Sequence, residues 1–273
     1  MDALATVAFF LGVIAYSAAS TLFFLDLARQ NVPAGRSAWG PRVLGVAALL
    51  HAVHVSVASL ILNRCPVESL HFGLSFSALV AVAAFLVLRR LRNLDAVGVI
   101  VAPAALTFLV AAQFVGVEVS SDLGISRPLL VLHVTANVLG VGLFVVAGAA
   151  GLLFLLQERR LQRKRAGALG TRLPSLDALD SATHRLLLTG FPLLTFGVVT
   201  GALFSRQLEI SSGAALARTL FGFLTWAVLA AVLVLRRVAG MRGRRAAYGT
   251  LAGVLCVLLV VLVYAVRPGG HGS

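Results

Sequence analysis

The sequence predicts an all-α, polytopic membrane helical bundle of about eight transmembrane helices, and three observations carry that prediction. Eight apolar stretches follow one another from Leu4 to Val266, each near the roughly 20 residues that cross about 30 Å of hydrocarbon. With 59% hydrophobic and 12% charged residues, the chain lacks the polar surface of a soluble globule. Finally, 18 of the 23 basic residues fall in the gaps after the first, third, fifth and seventh stretches. Because Lys and Arg resist translocation, that side is expected to be cytoplasmic and both termini to lie on the outer, periplasmic side. The formal charge of +13 is then a topology signal, whereas nucleic-acid binding would need the basic residues on a soluble face. Barrel strands are excluded by runs this long and uniformly apolar. The expected organisation is a single integral membrane domain over residues 1–273.

The first span, 4–25, is expected to persist as a helix: no basic residue precedes it, Asp2 does, and the positive charge follows, unlike a cleavable signal. The second, 43–62, carries His51 and His54 three residues apart and so on one helix face. Cys65, beside Pro66 in the next gap, reads as a small turn residue, the alternatives being a free thiol or a bond to a partner chain. Its distance from Cys256, midway through the last span, argues against an internal disulfide. The third span, 70–88, opens at His71, and the fourth, 96–117, contains Pro103, expected to bend the helix or free a carbonyl. The fifth, 129–156, opens near His133 and offers Gly140, Ala147, Gly148 and Gly151 for close helix approach.

The longest gap is a basic cytoplasmic loop, 157–185, whose cluster from Glu158 to Arg165 is expected against anionic headgroups. Within it Leu173, Leu176 and Leu179 suggest either a short interfacial helix with Pro174 in its first turn or a solvated loop. His184, beside Arg185, is expected to be solvated at the start of the sixth span, 186–204, which holds Pro192 and the packing pair Gly197 and Gly201. Spans seven, 216–235, and eight, 246–266, complete the bundle, leaving His271 in the outer tail.

An imidazole in or beside hydrocarbon is costly and tends to be kept for a purpose, so the histidines are the informative polar residues. His71, His133 and His271 are placed at the outer edge, with His51 and His54 beneath it. Neutral imidazole is a common metal ligand and a usual axial ligand of haem iron. No carboxylate or thiolate stands at zinc-site spacing from these residues, so a metal ion is not expected, and a large apolar ring such as haem suits the surroundings better. Each histidine also has a structural reading as an interfacial or inter-helix hydrogen-bonding residue. The ten acidic residues are dispersed and form no recognisable catalytic constellation, so an enzyme is not expected.

Leu132-His133-Val134-Thr135-Ala136-Asn137-Val138-Leu139-Gly140, running on to Gly151 and through Gln157-Glu158-Arg159-Arg160-Leu161, resembles the cytochrome c assembly (CcsA/HemX-like) haem-handling membrane proteins. Similar too are Leu173-Pro174-Ser175-Leu176-Asp177 with Leu179-Asp180, and Gly190-Phe191-Pro192-Leu193-Leu194-Thr195-Phe196-Gly197 with Thr200-Gly201. Leu224-Thr225-Trp226, the stretch Gly240 to Tyr248, Leu50-His51 and Cys65-Pro66-Val67 extend the likeness over roughly residues 44–260. The resemblance implies a haem-binding or haem-delivery protein of cytochrome c biogenesis in the bacterial cytoplasmic (inner) membrane. Its implied partners are lipid, haem, another maturation membrane protein and apocytochrome c.

By position, the resemblance makes His133 the first outer haem ligand, His51 a ligand within the membrane and His271 the second outer ligand. Two departures accompany it. The family's Trp-rich haem platform is absent from Ser205–Gly213, which holds no aromatic residue to stack on a haem face, and Val234 stands near the family's second membrane-level histidine. Coordination by neutral imidazole would fail below about pH 6. The rival reading is a haem-free structural or regulatory subunit that docks a partner. A solute transporter would need broken helices at matching positions of two repeats, and Pro103 and Pro192 do not correspond in that way.

Overall fold

The computed structural model describes residues 2–28, 39–61, 70–92, 94–115, 127–163, 173–207 and 213–265. They form α1 (Asp2–Ala28), α2 (Trp39–Ile61), α3 (Leu70–Arg92), a 3-10 turn (Asp95–Val97) continuing into α4 (Gly98–Gln113), α5 (Arg127–Gln162), α6 (Leu176–Gln207), α7 (Gly213–Val238) and α8 (Arg244–Ala265). Among the described residues there is no strand, and eight helices are long and apolar enough to cross a membrane. The molecule is a multi-pass membrane protein. Large apolar side chains such as Phe10, Ile14, Leu49, Leu60 and Leu220 face outward, an arrangement that only a lipid solvent makes favourable.

Two groups of helices pack side by side. In the first, α1 lies against α2 and α4, and α3 against α4; in the second, α5 lies against α6 and α8, and α7 against α8 and α6. The α3–α5 contact joins them, and these two helices are the most enclosed, with 61% and 67% of their apolar windows buried against 22% to 39% in the other six. Small residues set the closeness of that seam. A Cβ at Gly142 would stand 2.6 Å from Val80 Cγ1 and 2.9 Å from the Ser77 carbonyl, so only glycine lets α5 approach α3 this far.

The helices between spans five and six differ from the sequence expectation. α5 runs on to Gln162, carrying part of the basic cluster with it, and α6 starts at Leu176, ahead of the expected 186. The leucine repeat is therefore neither a separate interfacial helix nor a loop. Leu176 and Leu179 form the first turn of α6, with Leu179 fully buried, while Leu173 stands three residues ahead of it. Ser175 caps that start: its Oγ accepts the Ala178 N–H at 3.2 Å, and Asp177 in the first turn complements the helix dipole. Pro174 stands just before the cap rather than inside the first turn.

Asp180 explains why the helix holds together here. Its carboxylate takes two hydrogen bonds from Arg236 of α7, at 2.9 and 2.6 Å, and a third from the Gly243 N–H at 3.1 Å, in the turn leading to α8. Three elements are thereby tied at the end of the bundle where basic residues collect. Gly240, at φ 62°, supplies the left-handed residue that reverses the chain after α7. Pro103 and Pro192 lie within continuous α4 and α6.

Because the Arg236 and Asp180 side chains are only 10% and 13% exposed, removing one leaves the other poorly solvated. Asp180→Ala is expected to lower stability by about 2 kcal/mol or more, while Asp180→Ala combined with Arg236→Leu recovers part of the loss. Thermal unfolding of the detergent-solubilised variants measures both.

Candidate functional site

Hydrocarbon supplies no hydrogen bonds, so each inward-facing imidazole must be accounted for by other helices. In the first helix group, the Nδ1–H of His54 donates to the Ala5 carbonyl at 2.9 Å, tying α2 to α1. The carbonyl can only accept, so Nε2 is the acceptor, and Gln113 of α4 donates to it at 3.3 Å. The Nδ1–H of His71 on α3 donates to the Ala112 carbonyl at 2.7 Å, satisfying part of the open C-terminal end of α4. Both histidines are buried, and they act as pins between helices, as the structural reading expected.

His51 is different. It is wholly buried on α2, its Nδ1 pairs with the Tyr16 hydroxyl of α1 at 3.3 Å, and the Tyr16 ring meets it edge-on at 5.9 Å. Its Nε2 is enclosed and has no hydrogen-bond partner among the described residues. An orphaned buried nitrogen of this kind costs about 1–3 kcal/mol and suits a ligand.

His133 lies in the second helix group, half-buried between α5 and α6. Its Nδ1 is 2.6 Å from Thr200 Oγ1, and its Nε2 is 3.2 Å from Asn137 Nδ2. The proton positions follow from the neighbours. Asn137 Nδ2 also donates to the His133 carbonyl at 2.8 Å, which fixes the NH₂ end of the amide toward the histidine. Nε2 is therefore the acceptor, and neutral His133 carries its proton on Nδ1, toward a Thr200 oxygen whose own hydrogen goes to the Phe196 carbonyl at 2.7 Å. This tautomer leaves on Nε2 the lone pair that axial ligation uses.

The facing surface of α6 is cut to fit. Gly197 and Gly201, expected as packing residues, make room for these side chains: a Cβ on Gly197 would overlap the Asn137 carboxamide, and one on Gly201 would stand 3.4 Å from His133 Cε1. Phe204 closes one side, its ring centroid 5.1 Å from that of His133. One turn-spaced pair, His133 and Asn137, thus sits in the notch of Gly197, Thr200, Gly201 and Phe204. Asn137 and Thr200 had no role assigned from sequence; the signal available was their spacing, four residues after His133 and three after Gly197.

The remaining expectations sort as follows. His51 and His133 belong to different helix groups, and no hydrogen bond or ring contact joins them among the described residues. His271 and Cys65 lie outside the described residues, as does 208–212 within the segment whose sequence lacks the family's Trp-rich platform. Val234 is 57% exposed on the outside of α7, so its position does not face the bundle interior. Trp226 packs instead, donating to Thr195 Oγ1 at 3.1 Å and stacking on Phe191. His184 is half-buried rather than solvated, its Nδ1 enclosed without a partner among the described residues. No group of three or more His, Cys, Asp or Glu suited to a metal ion occurs among the described residues.

Each of the two sites offers one neutral imidazole nitrogen, a donor type that haem iron accepts: His133 Nε2 beside Asn137, and the enclosed His51 Nε2 on the ring held by Tyr16. Fold and site together define a polytopic helical membrane protein with imidazoles held between its helices. The chain belongs to the cytochrome c assembly protein family, whose model, described as Cytochrome C assembly protein, matches residues 46–270. It is similar to Protein HemX of Bacillus subtilis (strain 168), 24% identical over 92% of this chain and 91% of the relative. Protein HemX of Brevibacillus brevis is 28% identical over 72% of each chain. Cytochrome c biogenesis protein CcsA of Gloeothece citriformis (strain PCC 7424) is 25% identical over 72% of this chain and 75% of the relative.

Gly197→Ala is expected to force the α5–α6 notch open and to lower stability by about 1–3 kcal/mol, read as a lower thermal midpoint. Gly222→Ala, inside α7 where an added Cβ meets nothing within 4 Å, serves as the control and is expected to keep the midpoint or raise it slightly.

Proposed function

We propose that this chain is a non-catalytic, haem-handling membrane protein of cytochrome c biogenesis, with His133 as an axial ligand. The observation that carries the reading is the tautomer of His133: Nδ1–H is held by Thr200 while Nε2 keeps its lone pair. A ligating imidazole needs that division of labour, with one nitrogen oriented and the other basic. Haem, when bound, supplies the iron porphyrin destined for apocytochrome c. Around it, Thr200 orients the imidazole, Phe204 borders it, and Gly197 and Gly201 make room on α6 for the Asn137 amide and the ring.

His51 serves in this proposal as a second ligand within the membrane, for its Nε2 is enclosed and unpartnered. His271 is proposed as the second outer ligand on the resemblance of its position. The alternating basic gaps support a single membrane domain with both termini on the periplasmic side of a bacterial cytoplasmic membrane, so that His133 lies near the outer face. A second maturation membrane protein and apocytochrome c are the proposed partners.

The deciding measurement is the absorption spectrum of the detergent-purified full chain, titrated with haem. A Soret band is expected in the unaltered protein and is expected to be lost in His133→Ala. Thr200→Val, which removes the group orienting Nδ1, is expected to weaken haem binding about tenfold or more. Absence of a Soret band in the unaltered protein, even with excess haem, would refute the proposal. Normal cytochrome maturation in a His51, His133 and His271 triple alanine variant would point to the haem-free docking subunit instead.

A further inference from the structure

Asn137 does more than line the notch. Its Nδ2 reaches two acceptors on one residue, the His133 carbonyl at 2.8 Å and the His133 Nε2 at 3.2 Å. The carbonyl bond fixes which end of the amide faces the ring, so a donor sits on the one nitrogen available for coordination. Gly197 holds the amide there, because any side chain at that position would occupy the space of the Asn137 carboxamide. The contact to Nε2 is long for a neutral hydrogen bond, while the oriented contact on Nδ1 is short at 2.6 Å.

We infer that Asn137 is a displaceable cap on the coordinating nitrogen of His133. The inference rests on the haem-handling reading and adds a regulatory part to it. With no ligand present, the cap satisfies a lone pair that would otherwise lie unpaired beside hydrocarbon. Ligation exchanges the weak N–H···N bond for a bond to iron, and the side chain must turn off the ring. The Asn137 amide then keeps no partner on Nε2, which sets a modest cost against capture and favours release. Thr200 and Asn137 thus work on opposite edges of one imidazole, the first orienting it and the second holding its free edge covered.

Asn137→Leu tests the cap, since leucine keeps the branching and heavy-atom count of asparagine and has no donor. Full-length protein in lipid nanodiscs is treated with diethylpyrocarbonate, which acylates an unprotonated imidazole nitrogen, and modification of each histidine is followed by mass spectrometry. His133 is expected to react about three- to tenfold faster in the variant, the factor one neutral hydrogen bond supplies. The pinned His54 and His71 report on folding, and their rates are expected to stay unchanged. Haem titration of the same samples is expected to show tighter binding by a similar factor. Equal His133 rates in the two proteins, with His54 and His71 unchanged, overturn the cap whatever haem does. A faster rate with unchanged haem affinity overturns its role in haem capture. Failure of both proteins to bind haem, with the faster rate intact, removes the haem-handling reading and leaves the cap as a property of His133.

Discussion

Hydrocarbon cannot hydrogen-bond, and the arrangement of every polar side chain in this bundle answers to that constraint. An unsatisfied polar group in lipid would cost several kcal/mol, so His54, His71, His133 and Asn137 pair across or along helices, and outward threonines such as Thr21, Thr107 and Thr189 give their hydroxyls to the carbonyl four residues back. The apolar faces impose little by themselves, because lipid solvates leucine as well as a neighbouring helix does. What distinguishes one packing from another is therefore the small residues that permit close approach and the polar groups that need a partner at that approach. Gly142 against Val80 and Gly197 against Asn137 are the two clearest places where both conditions act.

The same residue type serves two ends under this rule. His54 and His71 give their Nδ1 protons to carbonyls on α1 and α4, and so pin the ends of the first helix group together. His51 and His133 retain a nitrogen that is either unpartnered or covered only by a long contact to an amide. An acceptor on Nδ1 orients the ring and leaves the lone pair on Nε2 whether it is a carbonyl, as at His54, or a hydroxyl, as at His133. The helices around each ring differ: His54 ties α2 to α1 and α4, whereas His133 sits in the α5–α6 notch.

At the opposite end of the bundle, solvent and headgroups relax the constraint, and charges return. Even there the Arg236–Asp180 pair is largely enclosed, and its third hydrogen bond from Gly243 explains why the α7–α8 turn docks on the start of α6. Family membership and these contacts bear on one another. The stretch Leu173 to Asp180, one of those in which the likeness is carried, contains both the cap of α6 and the carboxylate that ties α6 to α7 and α8. Trp226, in another of those stretches, is an inter-helix contact through Thr195 and Phe191.

The sequence by itself determined the class of fold, because length and hydropathy of a span are local properties read directly from consecutive residues. It determined which residues were worth watching as well, since six histidines in so apolar a chain stand out by cost alone. It did not determine the extent of α6, for Leu179 and Asp180 look equally suited to a loop until Arg236, 56 residues away, supplies the partner. Nor did it reveal the roles of Asn137 and Thr200, which share a site only because α5 and α6 cross at Gly197 and Gly201. Only the tertiary structure decided which neighbour orients each imidazole, because Ala5 against His54, Ala112 against His71 and Thr200 against His133 are brought up by other helices.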